Sequence, residues 1–113
     1  MVEKTVLDYL LGRLEVPVCM ERPEEKPQSY VIVEKTGSTH GDHLYHPTLA
    51  IQSYAPTLAE TAKLNEAVKE AMLGITELNS VSSCKLNSDY NFTKAASKEY
   101  CYQAVFDMTY LGG

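Results

Sequence analysis

The residues able to do chemistry concentrate in one stretch, His40-Gly41-Asp42-His43-Leu44-Tyr45-His46. All three histidines and one carboxylate of the segment fall within seven residues. Imidazole and carboxylate ligate zinc and other transition metals. His40, Asp42, His43 and His46 are therefore the candidate metal ligands. Their setting argues the other way. Metal sites draw ligands from positions held by helices or strands, backed by further hydrogen bonds. Here all four come from one glycine-interrupted segment with no distant partner. The expectation is a solvated loop, with no metal and no cofactor.

Nucleophilic catalysis has weaker support still. Cys84 and Cys101 fall on predicted strands, where a free cysteine packs as a small hydrophobe. No GxSxG elbow, glycine-rich phosphate loop or HExxH pair is present. Glu24 and Glu25 adjoin in a polar loop, where nothing would separate their pKa values into an acid and a base. The chain reads as a non-enzyme. The cysteines number three, Cys19, Cys84 and Cys101, with long spacings and no CxxC. That is neither a disulfide framework nor a zinc knuckle, and free thiols are expected.

Charge narrows the partners. The formal charge is −5 over 113 residues. A nucleic-acid reader needs a basic patch, and an anionic membrane surface would repel this chain. No apolar run is long enough to span a bilayer. The first residues lack a secretory signal pattern, so use without secretion is expected. The hydrophobic share of 44% and charged share of 22% are those of a folded domain. Eight Tyr against two Phe and no Trp favour strands or half-wet interfaces.

The elements that must position these residues are legible in part. Thr5 to Leu14 reads as a helix, with Val2, Val6, Leu7, Leu10, Leu11 and Leu14 on a broad apolar face. Gly12 weakens its last turn. Val16-Pro17-Val18 is extended, and Val18 to Glu21 is a candidate edge strand. Arg22 to Gln28 is a polar loop with two prolines. Ser29 to Thr36 is a central strand. Gly37 to Pro47 is expected to be a long irregular loop. Thr48 to Tyr54 alternates as a second strand.

Thr48 to Ile75 is the strongest unit. Pro56 ends the strand, and Thr57 with Glu60 forms a capping box. Leu58, Ala62, Leu64, Val68, Ala71, Met72 and Ile75 then make an apolar stripe. Gly74 suits a left-handed stop. Leu78 to Leu86 is a weaker strand, Asn87 to Ser97 a polar loop or crossing, and Lys98 to Leu111 the longest strand. On it, Tyr100, Tyr102, Ala104, Phe106, Met108 and Tyr110 form an apolar face opposite a mixed one.

The expected fold is α+β in one domain over residues 1–113. It is a two-layer sandwich with a mostly antiparallel sheet of about four strands and two helices on one face, in the order α-β-β-α-β-β.

This pattern resembles the small tail-terminator, or tail-completion and head–tail joining, proteins of tailed bacteriophages and prophages. The likeness rests on the helix-to-VPV run TVLDYLLGRLEVPVCMERP, the strand YVIVEKTG, the block HPTLAIQSYAPTLAETAKLNEAVKEAML and the closing strand YCYQAVFDMTYL. The resemblance implies a non-catalytic virion protein that forms a ring, usually a hexamer, at the head-proximal end of the tail. Such a ring ends tail-tube growth and joins tail to head. Its implied partners are further copies of itself, the tail-tube protein and the head–tail connector. Its implied location is the virion tail or neck, and the bacterial host cytoplasm during assembly. A net-negative ring would let DNA pass without holding it.

The contact candidates come from the residues themselves: Leu44, Tyr45, Tyr90 and Phe92, apolar or aromatic in segments expected to be polar loops. The competing readings are another phage neck or connector component, or a small cytosolic metal- or ligand-binding α+β domain.

Overall fold

A computed structural model describes residues 1–41, 44–94, 96 and 99–111. Its elements are α1 (Val2–Leu11), β1 (Val18–Cys19), β2 (Tyr30–Gly41), β3 (Leu44–Ala55), α2 (Leu58–Leu73), β4 (Val81–Asn91) and β5 (Tyr100–Tyr110), with a 3₁₀ turn at Ile75–Glu77. The sheet runs β1-β2-β3-β5-β4. β1 pairs parallel to β2 through two residues, and every other pairing is antiparallel. The α+β sandwich is thus as expected, with the edge strand near Val18 making a fifth strand.

Both helices pack on one sheet face. α2 lies over β3 and β5, and α1 over β1 and β2. Between the layers sit Val2, Val6 and Leu10 of α1, Val31 and Val33 of β2, Leu49 and Ile51 of β3, Met72 of α2, and Ala104, Phe106 and Met108 of β5. The alternate residues face away from the helices. Tyr30, Ile32, Tyr54 and Cys101 form a second, smaller buried cluster there, with Phe92 against it. The mixed face of β5 is therefore not simply wet, for Cys101 and Gln103 are buried on it.

The main departure from the sequence reading is at Gly37 to Pro47. This is not an irregular loop. β2 and β3 stay paired from Tyr30↔Tyr54 to Gly41↔Leu44, across one bulge between Lys35 and Gly37. The described part of the segment is strand, an arm of β2 and β3 that β5 flanks as far as Tyr45↔Tyr110. Every β2 residue from Glu34 to Gly41 is exposed. With no buried face the strand has no apolar alternation to betray it, and two glycines then mimic a loop. Asn87 to Asn91 likewise belongs to β4, paired with β5 up to Asn91↔Tyr102. The rest of that expected loop includes positions 95 and 97, outside the described residues.

Helix α2 is where expected, but it is rotated. Its buried residues are Thr61, Asn65, Val68 and Met72, followed by buried Ile75 in the 3₁₀ turn. Leu58 is 42 % exposed, and Leu64 and Ala71 only border the core. Two polar side chains go inward because each finds a partner. Thr61 Oγ1 donates to the Thr57 carbonyl at 2.7 Å, and Asn65 Nδ2 donates to Asp89 Oδ1 at 3.2 Å. Thr61 so bonded costs little, while Asn65 Oδ1 stays buried without a partner among the described residues.

The cap forms by half. Glu60 N–H donates to Thr57 Oγ1 at 3.1 Å, while no bond returns from the Glu60 carboxylate among the described residues. Gly74 is not left-handed, with φ −94°. Glycine fits there for another reason. Tyr9 Oη crosses from α1 to donate to the Ala71 carbonyl at 2.8 Å, and a Cβ on Gly74 would lie 3.2 Å from that hydroxyl. Thr57→Ala should lower the unfolding free energy by about 1 kcal/mol, read from urea denaturation. No measurable change would mean that water replaces the cap without loss.

Candidate partner-binding surfaces

The face of the sheet away from the helices divides into three parts. At the Tyr30 end a strap covers it. Arg22 Nη1 donates to both Glu99 carboxylate oxygens, at 3.0 and 2.7 Å, and Lys26 Nζ donates to Glu99 Oε1 at 2.5 Å. The Arg22 guanidinium also lies 5.6 Å over the Tyr54 ring. Tyr54 stacks on Tyr30 with centroids 4.7 Å apart. The loop holding Pro23 and Pro27 is thus clamped at two points over the second cluster, and the Cys101 thiol lies buried within that cluster. Burial, foremost, pushes the Tyr30, Tyr54 and Cys101 pKa values up. Lys26, with Arg22, holds Glu99 below the usual carboxylate range.

The sign of that shift sets a pH dependence. A carboxylate held low adds stability above its ordinary value of about 4.3. The contribution is lost as pH falls through the lowered value. The stability gap between wild type and Glu99→Gln should therefore be widest near neutrality and close in acid. Urea midpoints at neutral pH and below about pH 4 check this. A gap that does not change with pH would refute the latch.

The middle of the face is a polar zipper across three strands. Tyr54 Oη donates to Gln52 Oε1 at 2.9 Å, Gln52 Nε2 to Gln103 Oε1 at 2.8 Å, and Gln103 Nε2 to Tyr90 Oη at 2.5 Å. Each link satisfies a group that would otherwise be stranded at the sheet surface.

At the far end lies an open groove of about 590 Å³, walled by the arm and the ends of β3, β4 and β5. Asp107 in its floor is engaged through both oxygens. It accepts from Thr48 Oγ1 at 3.0 Å and Asn87 Nδ2 at 2.9 Å. Ser83 Oγ donates to Thr109 Oγ1 at 2.9 Å, and Thr109 Oγ1 is 3.2 Å from His46 Nδ1. Lys85 also lines the groove and makes no ion pair with a described residue.

The candidate ligands do not converge. His40 pairs with Tyr45 and His46 with Thr39, so His40 and His46 lie on opposite faces of the arm. His40 stacks near Tyr45 at 4.9 Å, while His46 joins the groove. Asp42 and His43 fall outside the described residues. Among the described residues, no group of three or more His, Cys, Asp or Glu side chains is placed to hold a metal. Cys84 is a poor nucleophile, because burial, aided by the Asp107 carboxylate, pushes its thiol up to about 11.

The four contact candidates separate as well. Leu44 and Tyr45 lie on β3 and Tyr90 on β4, not on loops. Tyr45 folds onto its own core. It makes an edge contact to Tyr110 at 6.4 Å and accepts from Lys35 Nζ at 2.9 Å. Phe92 packs on the second cluster, edge-on to Tyr90 at 5.9 Å. Leu44, 36 % exposed, and Tyr90, 41 % exposed, keep open surface. The groove was missed in the sequence because it needs Thr48, Ser83, Lys85, Asp107 and Thr109 from three strands. Only the repeated Ser and Thr at outward strand positions hinted at it.

Among the described residues, no helix is long and apolar enough to cross a membrane. The chain matches no protein-family model and no curated protein.

Proposed function

We propose that this protein is a non-catalytic structural subunit of a tailed-phage or prophage particle. It forms a ring, a homo-hexamer by the likeness above, at the head-proximal end of the tail. The ring ends tube growth and presents a surface to the head connector.

The observation that carries the reading is the arm made by the ends of β2 and β3. Its β2 strand is exposed from Glu34 to Gly41, and Leu44 opens β3 at its far end. β1 pairs only with Val31 and Ile32, so β2 is the edge strand along the arm. An exposed edge strand is a ready template for pairing with a neighbour. The polar zipper and the occupied Asp107 fit the same view, since they make a finished surface for contact rather than a set of groups poised to react. The net charge of −5 suits a ring around passing DNA.

Light scattering across a concentration range, with and without purified tail tubes, tests this. Hexameric rings, or rings that form on tubes, are the expected result. A strict monomer that never binds tubes sinks the reading. Leu44→Asp should abolish assembly while the unfolding midpoint stays near wild type, because the side chain is partly open. A Tyr45 substitution should instead cost stability, since that ring is packed.

A further inference from the structure

We infer that copies of this chain join edge to edge. The free edge of β2, from Glu34 to Gly41, pairs antiparallel with the free edge of β4 in a second copy, in the register that sets Lys35 opposite Asp89. The inference rests on the ring reading above and names the contact that would build the ring.

The sheet has two open edges. Val31 N–H donates outward to the Pro17 carbonyl at 2.9 Å, but β1 pairs only with Val31 and Ile32. Among the described residues, nothing pairs with β2 on that side from Val33 to Gly41. β4 is the other margin, and its outer side is unpaired among the described residues from Val81 to Asn91. A row of unpaired backbone groups is a template for another strand. The strand directions suit a repeat. β2 runs with β5, and β3 and β4 run against both. A second copy laid alongside in the same orientation therefore brings its β4 antiparallel to β2 and extends the alternation of the sheet.

Faces, bends and ends all select one register. Lys35 and His40 both line a pocket beside the start of α1. Asp89 and Cys84 also face the helices, Asp89 through Asn65 and Lys69 and Cys84 through the core. Each pair is five residues apart, an odd spacing that a regular strand cannot place on one face. A bulge makes up the difference in both strands, between Lys35 and Gly37 in β2 and between Leu86 and Ser88 in β4. With Lys35 opposite Asp89, Cys84 falls opposite His40, and the two bulges lie within one residue of each other. A bulge bends its strand and sharpens the twist, so two edges stay in contact only where their bends coincide. The ends agree too. Asn91, the last residue of β4, falls opposite Val33, and β1 takes over at Ile32. The neighbour's strand thus fills the open edge as far as β1 and stops. Lys69 serves both Glu66 and Asp89, and Lys35 brings a second cation to those carboxylates across the junction.

Pairing of unlike edges does not stop at two copies. A joined pair keeps a free β4 and a free β2 as the opposite margins of a ten-stranded sheet. Those margins would meet only in a closed barrel, whose interior at that strand number holds little more than side chains. Helices cover one face of this sheet and the strap lies on the other, and neither fits inside. The pair therefore takes up further copies, head to tail, until the arc closes into a ring.

Cysteine pairs read the register. Ser38→Cys with Leu86→Cys, and Thr39→Cys with Lys85→Cys, put thiols at successive cross-strand positions that are exposed in the single copy. Each is made in a Cys19→Ser and Cys84→Ser background, with buried Cys101 left in place. One of two successive pairs is the close, non-hydrogen-bonded kind, within reach of a disulfide. At least one variant should give a ladder of disulfide-linked multimers on oxidation. Monomers alone, or dimers alone, from both variants overturn the inference. So does a linked dimer from Ser38→Cys or Thr39→Cys without its second cysteine, which would mean that β2 pairs with itself. In wild type, assembly should slow amide hydrogen exchange at least about tenfold within both 34–41 and 81–91, read by mass spectrometry. Unchanged exchange in either segment of the assembled protein overturns the pairing and leaves the ring reading intact. If wild type forms no ring even on tubes, the ring reading fails. Cross-linking at high protein concentration then still decides the contact: a ladder upholds the pairing, and monomers alone overturn it.

Discussion

Phe106→Ala should lower the unfolding free energy by about 3–5 kcal/mol, the largest loss expected from any single truncation here. Phe106 is fully buried on β5, level with Leu49 on one neighbouring strand and Leu86 on the other. It lies in the core between the sheet and the two helices. Truncation removes the transfer free energy of the ring and leaves a cavity that paired strands cannot close, because their spacing is held by the ladder on both sides. A domain of this size has about 6–17 kcal/mol in all, so a large part of its stability would go. The urea midpoint should fall at constant slope. A loss under about 1 kcal/mol would mean that the core repacks freely, contrary to the close-packed interior assumed.

Asn65→Asp should cost a similar amount, about 3–5 kcal/mol at neutral pH, with almost no change of shape. Asn65 is 1 % exposed, and its Nδ2 donates to Asp89 Oδ1 at 3.2 Å. The substitution exchanges that donor for an oxygen and faces two carboxylates across the same gap. Lys69 Nζ, 3.3 Å from Asp89 Oδ1, also pairs with Glu66 and would compensate only in part. The new carboxylate gains neither water nor a donor, so its folded pKa rises above the ordinary value of about 3.9. A raised acid destabilises increasingly as pH climbs through and above its unfolded value. The deficit against wild type should therefore shrink in acid and widen to a plateau towards neutrality. Denaturation at several pH values checks it. A deficit that is flat with pH would show that the cost is one of shape and not of charge.

Asn65 also marks where reading the sequence breaks down. The helix itself was legible: Thr57 caps it, Pro56 ends the strand before it, and the spacing from Val68 to Met72 is helical. Its rotation was not. Counting apolar residues favoured Leu58 and Leu64, but the sheet beneath offers Asp89 to Asn65. A polar side chain with a partner can be buried while a leucine stays wet. That partner is 24 residues away and has no local signature. Gly74 teaches the same lesson. Its place at the helix end was evident, yet its reason is the Tyr9 hydroxyl arriving from another helix.

The histidine cluster shows the limit in its sharpest form. Seven residues rich in imidazole look like one site when written on a line. Strand pairing sends successive side chains to opposite faces, so His40 and His46 part company, and His46 finds Thr109 instead. The arm that carries them was invisible because neither side of its β2 strand is buried, and hydrophobic alternation records only burial.

What the sequence alone determined follows from local physics. The α+β class, the helix from Leu58 to Leu73, the central strand from Tyr30 and the closing strand to Tyr110 each rest on periodicity, capping and chain stiffness within a few residues. What only the tertiary structure decided is every relation across strands: the Glu99 latch on Arg22 and Lys26, the Gln52–Gln103 zipper, and the groove of Thr48, Lys85 and Asp107. Those depend on register and sheet order, which set neighbours by pairing distant segments and not by spacing along the chain.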